Sequence, residues 1–245
     1  MLNLGTNKQG LIVYGGKASS DYGIVVSEAP SFDKPSRKNS VFNIPGRNGS
    51  VLFQEDAWSD VTRSYRVWLT DNAKKNLTDS VNAFCSWLYS LKGYQRLEDN
   101  FEPDTFRLAY FNGGQEVSNE MMQAGETTIS FVCRPERFYK SGEQEITITN
   151  GDKLVNDTAF ASKPLIYIEA SNETVTLSIG GQSIVAEVDD YIYIDCERMD
   201  AYRLPTENKN ADVSGVFPVI KPGENGIAIT GTVTKVTIIP RYFTI

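Results

Sequence analysis

Four carboxylates in the second half of the chain are the side chains best suited to catalysis: Asp189, Asp190, Asp195 and Glu197. Two carboxylates are enough for glycoside hydrolysis, which needs no histidine. However, adjacent acids in a strand point to opposite faces, and Asp189-Asp190 lies where a turn is expected. Asp195 and Glu197 share a face by period, but two carboxylates without a cleft make no active site. The sequence therefore predicts no enzyme and no catalytic residue.

Two other residue types limit the chemistry further. The chain contains no histidine, which removes Ser-His-Asp and Cys-His catalysis and every histidine-ligated metal site. Its three cysteines, Cys85, Cys133 and Cys196, are far apart and lack the CxxC spacing of zinc sites. We expect them to be buried thiols, because free cysteine packs as a small apolar residue. No metal and no cofactor are expected.

A group of tyrosines and asparagines offers a different chemistry. Tyr191, Tyr193 and Tyr202, with Asn208 or Asn210, can stack on a sugar and hydrogen-bond to it. A carbohydrate-binding module that recognises a cell wall is therefore the alternative function. Tyrosines in alternating strands are also ordinary core and surface residues, and residues 143–245 contain no tryptophan to form a sugar platform.

Charge and hydropathy exclude two kinds of partner. The formal net charge is −7 and the lysines and arginines are scattered, which argues against a surface that follows nucleic-acid phosphates. No apolar run is long enough to cross a bilayer, so no membrane partner is expected. Residues 1–8 lack a long apolar region and a cleavage site. The sequence predicts a chain that is made and folded in a cytoplasm.

The first half of the chain has the pattern of a β domain with one helix. The period changes at Asp71, and apolar residues recur at steps of three and four from Leu77 to Leu91, which predicts an amphipathic helix over about residues 71–91. Pro135 is expected to end the strand that precedes it. Short apolar segments bounded by glycine and polar turns predict strands at residues 11–14, 22–26, 58–69, 94–97, 105–111 and 126–133.

The second half predicts a β-sandwich. The helical period disappears from Gln144 onward, and short alternating segments are separated by Gly, Asn and Asp turns. We expect a mainly β fold with two domains, residues 1–142 and residues 143–245. The strands predicted in the second domain are residues 146–148, 165–169, 174–179, 183–188, 191–194 and 235–239.

The segment from Phe42 to Phe53 predicts a hairpin that meets another protein. Asn48-Gly49 lies between two alternating apolar segments and tolerates the backbone angles of a tight turn. Pro45 cannot donate to a sheet ladder, so the hairpin should lie at a sheet edge or project from it. We expect Ile44, Arg47 and Phe53 to be interface residues. The alternative is that Ile44 and Phe53 fill the core of their own subunit.

The order of several motifs resembles the distal tail protein family of long-tailed, non-contractile bacteriophages (siphophages) and related prophages. The resemblance covers the whole chain, although each short motif alone is unspecific. In the first domain it rests on Tyr22–Val26, Ile44–Gly49, the helix after Leu69, and Ile129–Tyr139. In the second domain, Lys163–Ile168, Tyr193–Glu197 and Phe217–Asn225 look like the galectin-like module of that family.

The resemblance implies a structural protein that forms a homo-hexameric ring at the tip of the virion tail. In that family the N-terminal domains surround a channel that continues the tail tube, and the galectin-like domains project outward. The ring is a hub that joins the tube to the baseplate. The implied partners are the major tail tube protein, the tape measure protein, the tail-associated tip protein and a receptor-binding protein, while DNA passes through the channel only as cargo.

Further expectations concern place and assembly. The protein would be made in the cytoplasm of the bacterial host and would end in the tail tip, where its role in host adsorption is indirect. A closed ring needs two different complementary patches on each subunit. The hairpin from Phe42 to Phe53 can supply one patch by pairing with a neighbouring strand.

Overall fold

The computed structural model describes residues 10–31, 34–113, 125–204 and 206–245. Its backbone divides into an N-terminal unit, residues 1–137 with Ile245, and a C-terminal unit, residues 138–244. The division after Arg137 lies ahead of the sequence-based boundary after residue 142, which stays a prediction of the domain limits. Both units are built mainly from β-strands, which confirms the predicted fold class.

The N-terminal unit contains a large sheet, two helices that follow the strand Val61–Leu69, and a separate hairpin. The sheet order is β2-β1-β7-β8-β9-β6-β3, and the hairpin is formed by β4 and β5 alone. The elements are β1 Ile12–Tyr14, β2 Lys17–Ala18, β3 Ile24–Val26, β4 Arg37–Phe42, β5 Val51–Trp58, β6 Val61–Leu69, α1 Asp71–Lys75, α2 Leu77–Ser90, β7 Gln95–Asp99, β8 Thr105–Phe111 and β9 Glu126–Tyr139.

The predicted single helix is divided into α1 and α2. The division falls at Asn76, whose φ of −123° and ψ of 57° are not helical. Asparagine is a weak helix former because its side chain competes for backbone hydrogen bonds. The predicted apolar stripe is confirmed, since Val81, Phe84 and Leu88 are buried. No helix in the described part of the chain is long and apolar enough to span a membrane.

An aromatic core lies between α2 and the sheet. Trp87 packs in this core, and its indole Nε1 donates to the carbonyl of Tyr14 at 3.2 Å. The Tyr14 ring contacts Phe131 with 4.8 Å between centroids. These contacts join α2 to the first and ninth strands, so helix and sheet form one hydrophobic core.

The expectation that Pro135 ends its strand is wrong. β9 continues to Tyr139, although its pairing with β6 ends at the Val61–Cys133 pair. Proline is tolerated where a strand has lost one neighbour, because no ladder hydrogen bond is then required on that side.

The C-terminal unit is a β-sandwich, as predicted. One sheet has the order β10-β19-β12-β15-β16 and the other β11-β18-β13-β14-β17. Inward apolar residues from both sheets form one core, for example Ile166 of the first and Leu177 of the second. The strands of the sandwich are β10 Ile146–Thr147, β11 Lys153–Asn156, β12 Leu165–Glu169, β13 Glu173–Ile179, β14 Gln182–Val188, β15 Tyr191–Asp195, β16 Asp200–Tyr202, β17 Val213–Gly215, β18 Gly223–Thr230 and β19 Lys235–Ile239. The last strand, β20 Phe243–Thr244, belongs to neither of these two sheets.

Candidate functional site: an exposed apolar hairpin

The β4–β5 hairpin, residues 37–58, is the candidate functional site. Its strands pair in register at Val41–Leu52 and at Phe42–Val51. The two strands form a sheet of their own. A two-stranded sheet in water is at best marginally stable by itself, so this hairpin depends on contacts beyond its own pairing.

The tight turn of the hairpin differs from the predicted one. The carbonyl of Ile44 accepts a hydrogen bond from the N–H of Arg47 at 3.2 Å, and Gly46 has a φ of +81°. With Pro45 in the second position, this is a type II turn. Asn48-Gly49 lies in the rest of the loop over residues 43–50, so the prediction that it makes the turn is wrong.

Apolar side chains are exposed on both faces of the hairpin. Cross-strand partners share a face and neighbours along a strand alternate, so Val41 and Leu52 lie on one face while Phe42 and Phe53 lie on the other. Phe53 is 63% exposed and Phe42 is 59% exposed, and Val41 and Leu52 are also exposed. Clusters of large exposed apolar side chains are typical of protein interaction sites.

The interface residues proposed from sequence all lie on this surface. Ile44 and Phe53 are exposed, which makes the alternative that they fill the core of their own subunit wrong for this structure. The side chain of Arg47 is also exposed, and no carboxylate within the described residues pairs with it. Whether Ile44, Arg47 and Phe53 contact a partner stays a prediction.

Sequence reasoning missed three members of this surface, Val41, Phe42 and Leu52. The signal was present, because strictly alternating strands would place apolar residues on one face only. Adjacent apolar residues at Val41-Phe42 and at Leu52-Phe53 supply both faces, and this pattern could have indicated a hairpin that is covered on two sides.

The base of the hairpin is held by polar contacts. The N–H of Ser59 donates to the Ser36 carbonyl at 2.9 Å, and the N–H of Ser36 donates to Oγ of Ser59 at 3.0 Å. The Arg37 guanidinium lies 4.5 Å from the ring centroid of Trp58. These contacts fix where the strands leave the base.

The acidic residues considered for catalysis lie in ion pairs. Nη1 and Nη2 of Arg241 donate to the two carboxylate oxygens of Asp195 at 2.7 and 3.0 Å. Burial alone would raise the pKa of Asp195, but these bonds, the charge of Arg241 and two backbone N–H groups lower it. A carboxyl whose pKa is lowered is unsuited to act as a general acid. Asp189 pairs with Lys209 at 3.3 Å, and Asp190 pairs with Arg203 at 3.6 Å.

The cysteines are free thiols, and two of the three are buried as predicted. Cys133 and Cys196 are buried, whereas Cys85 is only half-buried, so that part of the prediction is wrong. Cys85 lies beside the buried stripe of α2, where one side of the helix remains accessible. Among the described residues, no group of acids and cysteines has the arrangement of a metal site.

Comparisons with known proteins agree with this architecture. Residues 19–133 match the family model of the phage tail protein RIFT-related domain. This segment contains the β4–β5 hairpin, both helices and most of the large sheet. No curated protein sequence matches the chain.

Two solved structures share the fold over nearly the whole chain. The SPP1 Dit protein, described as a paradigm of the hub adsorption apparatus in phages that infect Gram-positive bacteria, has a TM-score of 0.73 at 14% identity, with 97% of this chain and 100% of that chain covered. A chain of the phage P2 baseplate in its activated conformation with Ca has a TM-score of 0.50 at 10% identity, with 94% and 96% covered. Residues 19–133 are therefore similar to the phage tail protein RIFT-related domain, and the chain shares the fold of SPP1 Dit over nearly its whole length.

Proposed function

We propose that this chain is a structural distal tail protein of a siphophage or prophage, and that six copies form a ring joining the tail tube to the tail tip. The match to a phage tail domain and the fold shared with SPP1 Dit support this function. The protein acts by assembly and not by catalysis. Its place is the virion tail tip, and its synthesis takes place in the cytoplasm of the bacterial host.

The hairpin with two exposed apolar faces is the observation that carries the proposal. A closed ring with head-to-tail contacts requires a protruding patch that fits a different patch on the next subunit. Within the described residues, the two strands of the hairpin pair only with each other, so a neighbouring strand can be added at their outer edges. An adjacent copy that covers the hairpin would therefore satisfy both its apolar side chains and its backbone.

Burial of the hairpin supplies useful binding energy. Complete burial of a Phe or Leu side chain contributes about 1.5–3 kcal/mol. Phe42, Leu52 and Phe53 are each a little more than half exposed. Covering that exposed part would therefore contribute about half of this free energy, roughly 1 kcal/mol for each residue. Several such contributions per interface offset part of the cost of association, and a ring repeats the same interface six times under the proposal.

Arg47 is suited to fix the orientation of this contact. Its guanidinium is a planar fork of donors that binds a carboxylate or carbonyl pair in one geometry. It follows the rigid Pro45-Gly46 turn, which places it at the tip of the hairpin. A neighbouring acidic group is therefore the partner that we propose for Arg47.

The remaining partners follow from the position of a hub. The major tail tube protein and the tape measure protein would lie on one side of the ring, and the tail-associated tip protein and a receptor-binding protein on the other. DNA would pass through the channel as cargo. The fold shared with a chain of the phage P2 baseplate supports assembly with other tail components.

The mass of the purified chain in solution tests the proposal. Light scattering coupled to size exclusion, over a range of concentration and salt, should show a hexamer or a monomer that passes to a hexamer as concentration rises. Arg47→Glu and Phe53→Asp should each shift this equilibrium toward the monomer without loss of folding. Lys75→Glu is the matched control, because it reverses one exposed charge on α1 and leaves the hairpin intact.

Two results would contradict the proposal at different levels. A strict monomer at all concentrations would oppose a ring formed by this chain alone. A fully assembled ring of the Arg47→Glu and Phe53→Asp variants would keep the ring but remove the hairpin tip from its interface. Far-UV circular dichroism of each variant distinguishes lost assembly from lost folding.

A further inference from the structure

A surface cavity in the C-terminal unit lies at the end of a row of tyrosines. The cavity has a volume of about 360 Å³ and is lined by Arg198, Asp200, Tyr202, Thr206, Glu207 and Asn208. This volume is at the lower end of the range of small-molecule sites, about 300–1,000 Å³. It suits a ligand the size of one sugar ring and not a large cofactor.

A row of neighbouring tyrosines supports the aromatic wall of the cavity. Tyr167, Tyr193 and Tyr202 are cross-strand neighbours on β12, β15 and β16, and all three are half-buried. The rings of Tyr193 and Tyr202 are stacked, with 5.4 Å between centroids and 17° between planes. Tyr193 therefore covers one face of the Tyr202 ring and holds it in place, while Tyr202 ends the row and lines the cavity.

The polar wall contains both donors and acceptors. Asp200 accepts a hydrogen bond from Nδ2 of Asn210 at 2.9 Å, and Arg198 lies 3.9 Å from Asp200. Oδ1 of Asn208 accepts from the N–H of Asn210 at 2.9 Å. These contacts hold Asp200 and Asn208 in place, and each carboxylate or amide oxygen has a further lone pair for a ligand.

The charges of the lining favour a neutral ligand. Asp200 has a counter-ion in Arg198 at 3.9 Å, and Glu207 has one in Lys209 at 3.7 Å, so neither carboxylate needs a charge from the ligand. A purely apolar ligand would leave most of the lining groups without partners, at a cost of about 1–3 kcal/mol for each one buried. A neutral molecule with several hydroxyl groups and one apolar face satisfies the acids, the amide and the tyrosine ring together.

We propose that this cavity binds one neutral hexopyranose unit of a polysaccharide, with the sugar ring against Tyr202 and its hydroxyls on Asp200, Glu207 and Asn208. This binding function is separate from the ring and does not depend on it. It gives the tail protein a direct contact with sugar in addition to its role in assembly.

Saturation-transfer NMR on the full chain tests the site. The probes are the methyl glycosides of glucose, galactose and N-acetylglucosamine, at tens of millimolar because single sugar units bind weakly. A purified bacterial cell-wall polysaccharide is the larger probe. At least one glycoside should receive saturation, and the affinity should fall at least tenfold in Tyr202→Ala.

Two further variants keep the test independent of folding. Asp200→Asn keeps the shape and one acceptor but removes the charge, and it should also weaken sugar binding. Tyr94→Ala is the matched control, because it removes an exposed tyrosine of the N-terminal unit that does not line the cavity, and it should bind like the original chain. Thermal unfolding followed by circular dichroism checks that each variant is folded.

Three results would overturn the proposal. One is the absence of saturation transfer to every glycoside together with no binding of the polysaccharide. Another is sugar binding that survives both Tyr202→Ala and Asp200→Asn, which would place the sugar elsewhere. The third is protection of this surface from hydrogen exchange by a protein partner without any sugar binding, which would assign it to a protein contact.

Discussion

The buried ion pair between Arg63 and Asp99 allows a sharp test of what holds the N-terminal unit together. The change is Asp99→Ala. Nη2 of Arg63 lies 2.9 Å from Oδ2 of Asp99, and their side chains are 2% and 6% exposed. Removing the carboxylate leaves a buried guanidinium without its nearest counter-charge, so we expect a large loss of unfolding free energy.

The magnitude follows from the bonds that are lost. Oδ2 of Asp99 also accepts from the hydroxyl of Tyr65 at 2.7 Å, and Oδ1 accepts from the N–H groups of Phe101 and Glu102. Removal of one partner of a buried ion pair lowers the free energy of unfolding by about 3–5 kcal/mol. Glu102 remains 3.6 Å from Arg63 and offsets part of the cost, which places the expected loss near 3 kcal/mol.

Tryptophan fluorescence during urea unfolding measures this loss specifically in the N-terminal unit. The chain has three tryptophans, Trp58, Trp68 and Trp87, and all of them lie in the N-terminal unit. The transition seen by fluorescence should move to lower urea. The control is Asp104→Ala, which removes an exposed carboxylate and should change the unfolding free energy by less than about 0.5 kcal/mol.

A second variant separates an unpaired charge from lost packing. In the double variant Arg63→Met with Asp99→Ala, both charges are absent, so the loss should be smaller than in Asp99→Ala alone. A loss below about 1 kcal/mol in Asp99→Ala would refute the reasoning, since exposed pairs give values of that size. A double variant that is less stable than the single one would refute it as well.

Two further predictions concern titration and thiol reactivity. Because Asp195 has a pKa below its ordinary value of 3.8, its pairing with Arg241 stabilises the C-terminal unit above that pH and is lost as pH falls through the lowered pKa. Circular dichroism should show this loss, and an unchanged pH slope in Asp195→Asn would contradict it. Burial raises the pKa of Cys133 to about 11 and that of Cys196 to about 12, so iodoacetamide near neutral pH should modify only Cys85 in the folded chain. Mass spectrometry of the labelled chain measures which cysteines react, and rapid modification of Cys196 in the folded chain would contradict the prediction.

The sequence predicted strands best where burial alternates along a short segment. β13 and β14 lie close to the predicted positions, because each presents every second residue to the core. β18 was missed, because it begins with Gly-Glu-Asn-Gly, a composition typical of turns. Nδ2 of Asn225 donates to the carbonyls of Lys221 and Gly223, so a turn-forming residue is used here inside a strand.

The ion pair of Arg63 shows why the burial of some charged residues cannot be predicted from the sequence. Arg63 lies in the row of β6 that faces the core, between Val61 and Tyr65. A charge in that row is stable only with a buried partner, and Asp99 belongs to β7, a different strand of the sheet. Pairing across such a separation depends on strand order, which local periodicity does not determine.

The sequence predicted where the hairpin lies but not which of its side chains are exposed. Proline, glycine and alternating apolar residues indicated a hairpin, and the structure has one. Alternation defines two faces of a strand without stating which one is covered. Only the structure shows that Ile44 and Phe53 are exposed.

Under the proposed assembly, the exposed hairpin would also determine how temperature acts on the ring. Apolar surface that leaves water on association gives a negative change in heat capacity, and its driving force weakens on cooling. A ring closed through Phe42, Leu52 and Phe53 would therefore loosen in the cold and tighten on warming toward the temperature of the host. Cold storage would then favour free subunits, and rewarming would restore the ring.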